Sequence, residues 1–173
     1  MQKFLTLKHW QLFSLVGVPY ILGAIVAFVS VRYASNRLLS TALNVLWIAL
    51  FSFCIVVAIG WFYTVTKKLH ERLPASVGMS LLKFKIFLIM PLLCAIFAVV
   101  ADTTLFGILP LFILFSIYCF FYCIYFCAKA LAAVEIQKNP SPNDWVGAFM
   151  QIYFWPLGVW GLQPRINKIF SAS

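Results

Sequence analysis

Long apolar runs alternate along this chain with short polar breaks, most of them basic, and the breaks predict the elements. Leu12–Val31 is uninterrupted by charge, and Arg32 and Arg37 close it. A second run, 40–66, ends in Trp61, Phe62 and Tyr63 just before Lys67 and Lys68, the placement expected of an interfacial aromatic belt. A third span is predicted over 83–101, with Lys83 and Lys85 snorkelling at its start. Asp102-Thr103-Thr104 reads as a tight turn, and the fourth run occupies 105–128. At about 1.5 Å per residue each run is long enough to cross a hydrocarbon core of about 30 Å.

The pattern changes after Lys129. Ser141-Pro142-Asn143-Asp144 has the form of a helix start, with Ser as cap, Pro at the first helical position and Asp three residues after the cap. The apolar stretch that follows is broken by Pro156, Gly158 and Gly161 and closes at Gln163-Pro164-Arg165. A helix begun at Pro142 should stop or kink at Pro156. The chain therefore reads as one all-α integral membrane domain, with four transmembrane helices plus a re-entrant or interfacial broken hairpin over 142–163.

Composition and charge sharpen this picture. Of 173 residues, 64% are hydrophobic and 10% charged, well below the roughly 25% charged of ordinary soluble domains. Its first apolar run is too long for the core of a signal peptide, and no A-x-A site follows, so a retained span is expected. Placing the basic loop 67–85 in the cytoplasm puts the N-terminus and residues 129–144 there too. A re-entrant last segment then leaves Arg32 and Arg37 as the only basic residues outside, whereas a crossing segment would add Arg165 and Lys168 to them. The first arrangement obeys the positive-inside rule better. The net charge of +9 is thus a topology signal and an attraction to anionic lipid on the cytoplasmic side, with no nucleic-acid partner implied.

Catalytic motifs are sparse. No G-x-S-x-G, P-loop or G-x-G-x-x-G occurs, and no cofactor is implied. His70-Glu71 begins like a zinc-protease motif, but Pro74 stands where the second His belongs. His9, His70, Glu71, Glu135 and Asp144 share one predicted membrane side, where a shallow site around a His general base is conceivable and solvated interfacial charge is the plainer account. Cys119, Cys123 and Cys127 repeat every four residues on one helical face. Soft metal could bind such thiols, but small side chains admitting a neighbouring helix explain them without metal. No ionisable residue falls at mid-span, which argues against a proton-driven pump.

The stretch from Phe154 to Ile169 joins helix breakers, large aromatics and a cationic exit. Broken intramembrane helices leave backbone groups free for ligands, so Glu135, Trp155, Pro156, Gln163, Arg165 and Asn167 are the candidate ligand-binding residues. Leu7-Lys8-His9-Trp10-Gln11, the helix end Tyr122–Leu131, Val134-Glu135, Pro156-Leu157-Gly158-Val159-Trp160 and Gln163–Lys168 together resemble an uncharacterised family of small bacterial inner-membrane proteins. The resemblance implies a bacterial cytoplasmic membrane and an important tail, and it supplies no activity. Two functions fit best: a non-enzymatic subunit or scaffold whose partners are other membrane proteins or itself, or a binder of a lipid-like molecule at the hairpin. An enzyme using His70 or Glu135 comes third.

Overall fold

A computed structural model describes residues 7–100, 109–155 and 157–171, which form six helices and no strand. They are α1 His9–Arg32, α2 Arg37–His70, α3 Leu81–Val100, α4 Leu109–Ile136, α5 Pro142–Tyr153 and α6 Val159–Ser171. Three stretches, Trp10–Arg32, Arg37–His70 and Pro110–Ile136, are long and apolar enough to cross a bilayer, which is consistent with a membrane protein. The Asp102-Thr103-Thr104 turn expected from the sequence lies outside the described residues, as does Pro156.

Several helices outrun their apolar stretches, for local reasons. α2 starts at Arg37 rather than 40 because Asn36 caps it, its side-chain oxygen accepting the Leu39 N–H at 3.2 Å. It ends at His70 rather than 66, with Lys67, Lys68 and His70 in the last turn, where cations favour the helix dipole. α4 continues past 128 through an alanine-rich stretch to Ile136, and Gln137 follows with φ 54°. The Gln137 side-chain amide donates to the Val134 carbonyl at 2.7 Å, satisfying one of the acceptors that a helix end leaves open.

The chain divides into two compact units. The first comprises Met1–Thr64 with Phe154–Ser173. Here α1 and the first part of α2 run antiparallel: Cys54 lies against Val16, and the Gly23 backbone faces Trp47 and Leu50. Pro19 withdraws one N–H from its turn of α1, and the Cys54 thiol donates to the nearby Val16 carbonyl at 3.5 Å. α6 packs on α1, with Trp160 against Phe13 at 5.8 Å between ring centroids.

Sequence reasoning ends the hairpin at 163, before Pro164, but α6 runs through Pro164 to Ser171. The amphipathic pattern explains the difference. Val159, Leu162, Gln163 and Ile166 are buried on one face, while Trp160, Pro164 and Lys168 occupy the exposed face. Buried residues on both sides of Pro164 hold the adjoining turns in place, and the N–H it lacks belongs to the exposed side.

The second unit, Val65–Tyr153, is centred on α4. α3 lies antiparallel to it, pairing Phe84 with Phe126 (5.1 Å), Phe87 with Tyr122 (4.5 Å) and Phe97 with Phe112 (4.9 Å). α5 is antiparallel to α4 as well, with Trp145 on Tyr125 (5.0 Å) and Tyr153 on Phe121 (5.7 Å). α5 begins at Pro142, as its sequence suggests. Asp144 reaches back to accept both the Ser141 N–H and the Ser141 hydroxyl, each at 2.7 Å, the reciprocal half of a capping box.

Candidate functional site

In the first unit a buried glutamine ties three stretches of chain together. Leu7 lies one residue before the Lys8 cap of α1, so its carbonyl has no donor in that helix; Gln11 and Leu12 N–H both go to Lys8. Gln163 Nε2 donates to the Leu7 carbonyl at 3.1 Å and to Asn167 Oδ1 at 3.0 Å, and Asn167 Nδ2 donates to the same carbonyl at 3.2 Å. On its other side, Gln163 Oε1 accepts the indole N–H of Trp61 at 3.2 Å. Gln163 and Trp61 are both 0% exposed. Positions 163 and 167 are one helical turn apart, which lets the two amides reach one acceptor.

Trp155 stands beside this cluster. Its ring lies 6.2 Å from that of Trp61 and packs on Val16, Cys54 and Val57. Its Nε1 and the Thr64 hydroxyl are buried with no hydrogen-bond partner among the described residues. Thus Trp155, Gln163 and Asn167 of the candidate residues belong to one unit, and two of them form a direct network. Arg165 is half-buried on the same helix, Pro156 is outside the described residues, and Glu135 sits exposed on the last turn of α4 in the second unit.

Trp61 is the participant whose partner sequence reasoning does not name. The sequence puts it in an interfacial belt, yet it is fully buried and its N–H is held by a residue 102 positions away. A Trp in a span with one polar end to satisfy was the available signal, but nothing local names its acceptor.

Three of the groups considered for acid–base chemistry, His70, Glu71 and Asp144, have partners of their own. His70 Nε2 lies 2.9 Å from the Met79 carbonyl, which can only accept, so that nitrogen carries the proton; the ring stacks on Phe126. Glu71 pairs with Lys68 at 2.7 Å, and that hydrogen bond holds its carboxyl below the usual range. The Ser141 hydroxyl and N–H do the same for Asp144. The His9 side chain is outside the described set. Cys119, Cys123 and Cys127 are free buried thiols on a face shared with buried alanines of α4. Among the described residues no three His, Cys, Asp or Glu side chains are placed to hold a metal ion.

This constellation can hold chain to chain and, at the Trp155 N–H, offer one donor to an outside acceptor. No known protein family, curated protein or solved structure matches the chain.

Proposed function

We propose that the protein is a non-enzymatic subunit or scaffold of a membrane complex, with four spans and a re-entrant C-terminal segment. The observation that carries this reading is the engagement of Gln163, Asn167 and Trp61 with one another and with Leu7. The polar groups best suited to a ligand serve the protein's own packing, and the flanks of its long helices carry exposed large apolar side chains such as Phe28, Val56, Leu111 and Leu114. Such flanks suit lipid and neighbouring helices. The resemblance to small bacterial inner-membrane proteins makes the bacterial cytoplasmic membrane the proposed location, with anionic lipid against the basic cytoplasmic face.

α3 is the proposed fourth span: its 20 residues measure about 30 Å, enough for the hydrocarbon core. Re-entry is supported within each unit separately. α5 descends along α4 from the end that carries Lys129, and α6 runs back along α1 toward the end that carries Lys8. A reporter fused after Ser173 should therefore read out in the cytoplasm; a periplasmic signal would refute the topology. Native mass spectrometry in mild detergent, with protein drawn from its own membrane, tests the function. A protein partner in fixed ratio is expected, and a bare chain with its lipids would count against the scaffold.

The unpartnered Trp155 N–H favours a second reading, a lipid-like ligand whose ester or carbonyl oxygen accepts that proton. Trp155→Phe should then abolish retention of a copurifying molecule while leaving the fold intact. Equal retention would dismiss this reading.

A further inference from the structure

On the flank of the first unit, α1 and α2 leave a half-open groove of about 140 Å³ lined by Pro19, Tyr20, Gly23, Ala24, Trp47 and Phe51. Gly23 forms its floor, where even a methyl group would already touch Trp47 and Leu50 at 3.7 Å. Trp47 and Phe51 stack at 5.7 Å to make one wall. Ala24 and Tyr20 are exposed at the rim. Arg32 and Arg37 stand at the nearer end of the same two helices, both exposed. Gly23 to Arg32 is about 14 Å along α1, and Trp47 to Arg37 is about 15 Å along α2. Either distance is about half of a 30 Å hydrocarbon core, the depth of one leaflet.

Charge identifies the occupant. The first unit, residues 1–64 and 154–173, contains no Asp or Glu at all, so neither arginine has a side-chain carboxylate within its own unit. Lys68 pairs with Glu71 in the other unit, and Arg32 makes a cation–π contact with Phe28 at 5.8 Å. A second copy docking by the same unit would bring more arginines and no anion. An anionic phospholipid supplies both complements, since guanidinium groups bind phosphate oxygens and an acyl chain of leaflet length reaches the groove.

We propose that this flank is a binding site for one anionic phospholipid, with its phosphate on Arg32 and Arg37 and one acyl chain in the Gly23–Trp47 groove. It lies at the opposite end of α2 from Lys67 and Lys68, so it is distinct from the general attraction of the cytoplasmic face. It stands whether or not the protein is a scaffold.

The test titrates the purified full chain in mild detergent with dioleoylphosphatidylglycerol or dioleoylphosphatidylcholine, reading bound lipid by native mass spectrometry and thermal stability. One saturable phosphatidylglycerol site is expected, with phosphatidylcholine weaker. Arg32→Gln with Arg37→Gln should weaken it about 25-fold, at roughly fivefold per interfacial charge. Ala24→Phe fills the groove from its exposed rim, so the fold is spared while retention of the two-chain lipid drops at least tenfold. Lys67→Gln with Lys68→Gln should leave this site unchanged. Equal binding of the two lipids, or an Ala24→Phe variant that retains phosphatidylglycerol normally, overturns the proposal. So does an Ala24→Phe variant that changes oligomeric state without changing lipid. An Asp102→Asn variant that alone destabilises the protein as much as the arginine pair would assign the arginines to that carboxylate and overturn it too.

Discussion

Replacing Gln163 by Leu removes one amide of similar size from a position that is fully buried. Trp61 is buried as well, so its N–H, deprived of Gln163 Oε1, cannot turn to water. An orphaned buried donor costs about 1–3 kcal/mol. The bonds from Gln163 to Leu7 and Asn167 are lost too, but the Leu7 carbonyl keeps its bond from Asn167 Nδ2, so these add only about 1 kcal/mol. The expected loss is about 2–4 kcal/mol, measured as unfolding free energy by steric trapping of the folded protein in bicelles. Trp61→Phe should also destabilise, by leaving Gln163 Oε1 without this donor. The double variant is the decisive one. Removing both polar partners leaves neither orphaned, so Trp61→Phe with Gln163→Leu should be less destabilised than the sum of the singles by about 1–2 kcal/mol. Simple additivity would show that the Trp61–Gln163 bond contributes nothing, and a Gln163→Leu loss below about 0.5 kcal/mol that Gln163 does not hold α6.

Gln137 has φ 54°, a left-handed conformation that side chains branched at Cβ tolerate badly. Gln137→Val should cost about 1–2 kcal/mol in the same unfolding measurement, and Gln137→Gly distinctly less. The Asp144 carboxyl is held below its ordinary range by the Ser141 hydroxyl and N–H, so folding favours its ionised form. Its contribution is therefore present above the unfolded pKa of about 3.9 and is lost as pH falls through the lowered folded value. Amides in the first turn of α5 should exchange faster below that pH, relative to the pH dependence of an Asp144→Asn control; identical pH profiles would refute the cap. Truncation after Tyr153 deletes α6, and the remaining chain should insert in membranes yet melt at a clearly lower temperature, because Trp61 and the Leu7 carbonyl lose their partners.

Local rules in the sequence predict the helices well and the ends of those helices poorly. Apolar runs mark where helix must form, because backbone groups in hydrocarbon have no other donors and acceptors. The edges of a run mark only where charge begins. Asn36 starts α2 three residues before its predicted edge, and Lys67–His70 carry it four residues beyond, because capping and dipole interactions are indifferent to hydropathy. The Ser141-Pro142-Asp144 start was readable because all its partners lie within four residues. Gln163 and Asn167 stood out as polar residues in an apolar tail, but their role depends on Leu7 and Trp61, more than 100 positions distant.

That distance bears on how the first unit is built. Its network takes one part from Leu7 ahead of α1, one from the far half of α2 and two from α6, so it cannot close until the last helix has been made. Before then, the Leu7 carbonyl and the Trp61 N–H must be solvated by water, lipid headgroups or the insertion machinery, since each would be costly alone in hydrocarbon. In the second unit α5 packs on α4 through Trp145, Phe149 and Tyr153, and α6, which follows it in sequence, belongs to the first. The amides of Gln163 and Asn167 are thus explained by what the tail must satisfy on arrival.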